Sequence, residues 1–215
     1  MGRDVAGTLR WVRAGTALCA EAIGGFATDE DWDTPTLPGW TRRHLVTHLC
    51  ANAEAIGRLL HWATTGEVTP MYQSMAQRNA DIEAGSHRPG PELAAWFTRS
   101  SDTLSAAFAA MTEGDWAAEV VTAQGRTVPA SETTWMRARE VLVHAVDLQA
   151  GIGFGDLPAG FLGALRDEIL AKRADEGLPA LAGELADVVG YLSGRTDAGV
   201  RAADGSPAPQ LAPWI

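Results

Sequence analysis

Lysine is almost missing from this chain: of 215 residues only Lys172 is one, against sixteen arginines, and the net charge is −10. A protein that neutralises phosphates presents a basic stripe, and none is visible, so nucleic acid is excluded as the expected partner. Cysteine is scarce too. Cys19 and Cys50 are the only two, with no C-x-x-C pair, which excludes a disulfide framework or a thiolate metal cluster. Both sit among Ala and Leu in helical patterns and read as buried, reduced thiols. No apolar run approaches the roughly 18 residues that a membrane-spanning helix needs. Arg3, Asp4, Arg10 and Arg13 interrupt every candidate export core near the start, so the expected location is the cytoplasm.

What is present belongs to an ordinary globular protein, with 46% hydrophobic and 20% charged residues. The length suits a domain of about 150 residues plus a smaller unit. Val5, Leu9, Val12, Thr16 and Cys19 recur at helical steps and predict a first helix over Val5 to Ile23. Asp29 to Gly39, with Pro35 and Pro38, reads as a loop, and Thr41 as the cap of a long helix that ends near Thr65 before Gly66 and Pro70. A shorter helical pattern follows over Met75 to Ala84, then a long one over Glu92 to Met111. Beta-branched residues around Gln124-Gly125 predict a short hairpin or an extended loop over Val120 to Val128. Ser131 reads as the N-cap of another long helix, reaching about Ala150. The four long helices make an up-and-down bundle. Gly-rich residues between Gly151 and Pro158 mark a boundary, which gives units over 1–152 and 153–215. Helices are expected over Phe161 to Arg173 and Leu181 to Leu192, with an aperiodic tail from Thr196 anchored by Trp214 and Ile215.

Chemistry concentrates on one helix. Glu140 and His144 lie four apart in R-E-V-L-V-H-A-V-D-L, so a carboxylate and an imidazole share a face one turn apart. Leu142, Val143 and Val146 fill other faces, so the helix is largely buried, and a buried glutamate needs a partner or a cation to stay ionised. His44 and His48, also four apart, offer a second imidazole from the facing helix, and either could complete the site. Two histidines and one carboxylate fill three positions of a tetrahedral zinc ion and leave one open, as catalytic sites do. The same trio serves ferrous iron, and zinc is preferred only modestly. His61 beside Trp62 and His87 in a loop read as a helix-end and a solvated side chain, and the tryptophans as packing.

The chain resembles the mycothiol-dependent maleylpyruvate isomerases within the wider DinB-like metal-binding bundles. The resemblance is carried by G-W-T-R-R-H-L-V-T-H at Gly39 to His48, by H-W-A-T-T-G-E-V-T-P-M-Y at His61 to Tyr72, and by the long stretch from Thr122 to Leu148 that contains W-M-R-A-R-E-V-L-V-H-A-V-D-L. It extends through F-G-D-L-P to G-Y-L-S-G-R at Gly190 to Arg195 and the closing P-W-I. The implied fold is mainly α: a DinB-like up-and-down four-helix bundle with a small C-terminal helical or α+β unit. The implied zinc ligands are His48, Glu140 and His144. Arg195 is the implied catalytic and substrate-binding arginine, and Arg78 in A-Q-R-N matches a second arginine of substrate or thiol binding. Only Asp175 to Ala180 separates the last two predicted helices, a shorter interval than the family pattern, so the C-terminal unit could be trimmed to helices.

The implied reaction is the cis–trans isomerisation of maleylpyruvate to fumarylpyruvate in gentisate breakdown, with mycothiol as thiol cosubstrate. A double bond cannot rotate. A thiolate that adds to the conjugated alkene makes the bond single, and its departure after rotation leaves the trans isomer, with the thiol regenerated. Two other readings stand beside this one: a mycothiol S-transferase, which keeps the thiol on its product, and a non-catalytic metal-binding bundle.

Overall fold

A computed structural model describes residues 4–196 and 198–211. Trp214 and Ile215, the expected anchors of the tail, lie outside the described residues. Two compact units emerge, residues 1–151 and 152–215.

The first unit is a helical bundle. Helix α1 (Val5–Gly24) begins where Asp4 accepts from the backbone N–H of Ala6 and Gly7 at 3.1 and 2.9 Å. The segment expected to be all loop holds one short helix, α2 (Asp29–Asp33). Thr28 and Asp31 form a reciprocal capping box there, and three acidic residues in the first turn favour the positive helix end, which outweighs the prolines that follow. Helix α3 (Arg42–Thr65) starts at Thr41 as expected and ends at Gly66, whose φ of 77° reverses the chain in a conformation natural to glycine. Helices α4 (Met75–Ser86) and α5 (Gly90–Ala110) follow, then α6 (Glu113–Ala117), a turn that no periodicity announced. Of the hairpin and the extended loop left open by the sequence, the hairpin is present: β1 (Glu119–Val121) pairs antiparallel with β2 (Thr127–Pro129), Val120 opposite Val128. Helix α7 (Glu132–Asp147) closes the bundle. Ser131 occupies its N-cap position in a helical conformation, and its side chain makes no capping bond. The backbone conformation is the reason, because a capping hydroxyl needs an extended residue beneath it.

Packing pairs α1 with α7 and α3 with α5. Leu45, Leu49, Ile56 and Leu59 of α3 and Val141, Leu142 and Val143 of α7 are wholly buried. Each such side chain contributes about 1.5–3 kcal/mol of burial. Trp11 of α1 meets Trp135 of α7 edge-on at 5.9 Å. Among the described residues, no helix is long and apolar enough to cross a membrane.

The second unit contains α8 (Ala159–Lys172) and α9 (Leu185–Leu192), with Phe161, Leu165, Ile169, Val189 and Leu192 buried. Leu181 and Ala182, expected to open the last helix, instead form β3 (Leu181–Ala182), paired antiparallel with β4 (Arg201–Ala202) in the tail expected to lack structure. Gly183 and Glu184 interrupt the helical pattern before α9, so the two apolar residues ahead of them are free to pair as a strand. The unit is therefore α+β rather than trimmed to helices.

Candidate metal centre

Two helices supply the site. His48 lies on the inner face of α3, and Glu140 and His144 lie one turn apart on α7. One candidate ligand atom from each of the three falls within 4.8 Å of the others. His48 Nε2 is 2.8 Å from Glu140 Oε2, and His144 Nε2 is 3.3 Å from the same oxygen. The two imidazoles meet edge-on, 5.2 Å between centroids. Both histidines are 6% exposed, whereas a quarter of the Glu140 side chain remains accessible, so the cluster is sealed behind and open on the carboxylate side.

The outer nitrogens are also occupied. His144 Nδ1 is 2.8 Å from Asp147 Oδ2 on the next turn of α7, and Asp147 is itself buried. That bond orients the ring and directs Nε2 toward Glu140, the arrangement by which a carboxylate fixes a metal-binding histidine. His48 Nδ1 accepts from Arg78 Nη2 at 3.0 Å, and the Trp40 indole packs 5.5 Å from the His48 ring. Arg78 also lies over the Tyr72 ring at 5.7 Å.

Electrostatics follow from this crowding. Burial pushes the Glu140 carboxyl up, but His48 and hydrogen bonds from both imidazoles outweigh it and hold the group well below the usual carboxylate range. Burial depresses His48, and Glu140 only partly offsets it. Burial also works against a charged His144, yet Asp147 and Glu140 prevail and raise it to about 9. The opposite directions of the two imidazoles have a plain cause: His144 has two carboxylates against it, and His48 shares one with a guanidinium on its other side. An ionised carboxylate between two imidazole nitrogens is the donor set of a divalent cation, and these residues fit one.

The other sequence expectations fall elsewhere. His44 Nδ1 accepts from the Thr41 backbone N–H at 3.3 Å and its Nε2 faces Glu83 at 3.3 Å, so it finishes the helix start and stays out of the cluster. His61 and His87 are exposed. Arg195 belongs to the second unit, just after α9. Its Nη1 donates to Ser193 O at 2.8 Å, and it lines a cavity of about 930 Å³ with Tyr191, Thr196 and Arg201. Sequence reasoning gave Asp147 no role, although its three-residue spacing from His144 was a usable signal. Trp40 and Tyr72 lie within the quoted motifs but carried no spacing that could have placed them at the cluster.

With this geometry in place, comparison with known proteins is decisive. Residues 9–149 match the family model of the mycothiol maleylpyruvate isomerase N-terminal domain. The chain belongs to that family. Two solved structures are similar to it, a crystal structure of the mycothiol-dependent maleylpyruvate isomerase and one of a histidine-to-alanine mutant of that enzyme. Each is 36% identical, covers 97% of this chain and 98% of its own, and superposes with a TM-score of 0.89. A search of the curated proteins finds no match. In this member of the mycothiol maleylpyruvate isomerase family, the matched segment spans α3 and α7 and so contains the whole cluster.

Proposed function

We propose that this chain is a mycothiol-dependent maleylpyruvate isomerase whose zinc ion is held by His48, Glu140 and His144. The observation that carries the reading is the convergence of those three side chains within 4.8 Å, in a chain 36% identical over nearly its whole length to a protein of that name. Zinc is favoured over iron because thiol addition and elimination transfer no electrons to a metal, so a redox-inert ion suffices. Bound there, it would supply the charge that keeps the thiol of mycothiol ionised at neutral pH.

The chain's own residues do the positioning. Asp147 holds the His144 ring, and the buried walls on α3 and α7 exclude water from all but the Glu140 side. When His48 lends Nε2 to a cation, its proton sits on Nδ1, and the ring no longer accepts from Arg78. The guanidinium is then free to grip a carboxylate of the dianionic substrate. Arg195 is assigned the partner task, orienting the substrate and spreading the enolate charge that develops on thiolate addition. The thiol comes from solution, because Cys19 and Cys50 are both fully buried.

The test is an absorbance assay of maleylpyruvate with mycothiol and zinc, run on the native protein and on His48→Ala. Loss of turnover in the variant is expected, and equal rates would remove the metal from the mechanism. Mycothiol consumed in step with substrate would favour an S-transferase, since an isomerase returns its thiol. No thiol-dependent turnover on any electrophile would leave a metal-binding bundle without catalysis.

A further inference from the structure

Resting on the metal reading above, we infer that two arginines, Arg42 and Arg137, act as positioning residues that set the spacing of α3 and α7 on either side of the metal centre. The helices that share the three ligands are each packed mainly against a different neighbour, α7 along α1 and α3 along α5. They also touch each other directly, but less extensively, so polar ties between them bear on their separation where His48 faces Glu140 and His144.

Arg137 supplies one tie. It lies one turn before Glu140 on α7, is 1% exposed, and crosses to α3, where Nη1 donates to Leu49 O at 2.8 Å and to Asn52 Oδ1 at 2.9 Å. Leu49 directly follows His48 in the chain, so the bond holds the backbone that carries the ligand. Arg42 supplies the other tie, from α3 to α7 and one turn beyond His144. Its Nε donates to Leu148 O at 2.8 Å and its Nη2 to Gln149 O at 2.7 Å, so it holds the cap residue of α7 and the one after it. Nη1 donates to Asp31 O at 3.0 Å, which ties α2 into the same joint.

The two ties run in opposite directions and enclose the cluster between them. A planar guanidinium with several donors in a fixed fork is suited to this, because it can fix distance and angle together. Arg137 is costly to bury for stability alone. Among the described residues it has no carboxylate ion pair, and burial works against its charge. A structural role is better served by an apolar side chain of similar size; a positional role is not.

The experiment is a titration of metal-stripped protein with zinc against a chromophoric chelator, for the native chain, Arg137→Met, Arg137→Lys and Arg42→Gln. Cobalt(II), whose d–d absorption reports coordination geometry, is loaded in parallel. Arg137→Met and Arg42→Gln are expected to bind zinc about 10- to 100-fold more weakly, the range for outer partners of metal ligands. Their cobalt spectra should alter, their far-ultraviolet circular dichroism should not, and Arg137→Lys should recover part of the loss. Variants that melt earlier but bind zinc and cobalt as the native chain does would overturn the inference. If Arg137→Met does not fold, Asn52→Ala removes one arm of the tie, and unchanged zinc affinity there overturns it equally. A native chain that binds no zinc would overturn the metal reading itself, and the ties with it.

Discussion

Gly15 lies where α1 packs tightly against the ligand-bearing stretch of α7, and replacing it should separate two opposing effects. A Cβ at this position would lie 2.5 Å from Val141 Cγ2, 2.8 Å from Leu142 Cγ and 3.0 Å from the Leu142 backbone nitrogen. Two of those contacts are side chains that could shift, but the third is main chain lying between Glu140 and His144. Gly15→Ala gains about 0.8–1.0 kcal/mol of helix propensity in mid-helix. Overpacking a tight contact costs about 1–3 kcal/mol, so the net effect should be a loss of up to about 2 kcal/mol. At about 2–4 °C per kcal/mol for a unit of this size, the melting temperature should fall by up to about 8 °C, where the propensity gain alone would raise it. Gly57→Ala is the matched control. It lies inside α3 with nothing within 4 Å of the added carbon, so the propensity gain stands alone and the melting temperature should rise by about 2–4 °C. Thermal melts by circular dichroism of both variants provide the assay. Gly15→Ala melting as far above the native protein as Gly57→Ala would refute the close approach of α1 to α7.

Asp147→Ala removes the acceptor of His144 Nδ1 and should weaken zinc binding about 10- to 100-fold in a chelator competition; an unchanged affinity would show that Asp147 does not orient the ring. Stripping the metal should lower the melting temperature by about 10 °C relative to protein in zinc at a thousand times its dissociation constant, which stabilises by about 4 kcal/mol, and added zinc should restore it. Identical melts with and without zinc would argue against a site in the fold. Cys19 donates its Sγ proton to Val141 O at 3.1 Å, and burial raises its pKa from 9.0 to about 12, Arg137 opposing. The fold therefore favours the protonated thiol: this contribution is full below pH 9 and is lost as pH rises from 9 toward 12. At about 1.4 kcal/mol per pH unit, it is worth about 4 kcal/mol. Denaturant midpoints measured from pH 8 to pH 11 should fall accordingly, and midpoints that hold steady would contradict the burial of the thiol.

The long helices were legible because their apolar residues recur at helical steps and their ends carry recognisable punctuation, as at Thr41 and Gly66. Local polar chemistry was harder to see. In α2 a capping box competes with nearby prolines, and pattern alone gives no weight to a reciprocal pair of hydrogen bonds. The strand at Leu181–Ala182 could not be foreseen because its partner, Arg201–Ala202, lies twenty residues away in a segment without period. The site shows the same division. Glu140 and His144 are neighbours on one helix and declare themselves by spacing, whereas the choice between His44 and His48 depends on which faces α7, a tertiary fact that the family resemblance supplied. Arg42 and Arg137 escaped notice because arginine is abundant here and most of their partners are backbone carbonyls, which leave no mark on a sequence.

The burial of both cysteines bears directly on why a chain of this kind needs a thiol from outside. A nucleophilic cysteine must reach its thiolate near neutral pH, which takes an electropositive and partly accessible setting. Cys19 and Cys50 have the reverse: neither is exposed, and burial raises both to about 12. The setting that would favour an anion is the cluster of His48, Glu140 and His144, where one face is open beside Glu140 and the charge of a bound cation would act on whatever enters. The chain thus separates two requirements that a cysteine enzyme combines on one side chain: the charge stays with the protein and the sulfur arrives from solution. A thiol reagent supplies the check, because a native enzyme that keeps full mycothiol-dependent turnover after exhaustive treatment with iodoacetamide, followed by removal of the reagent, has no working cysteine. Inactivation in step with labelling of Cys19 or Cys50 would return the nucleophile to the protein and undo the argument for an external one.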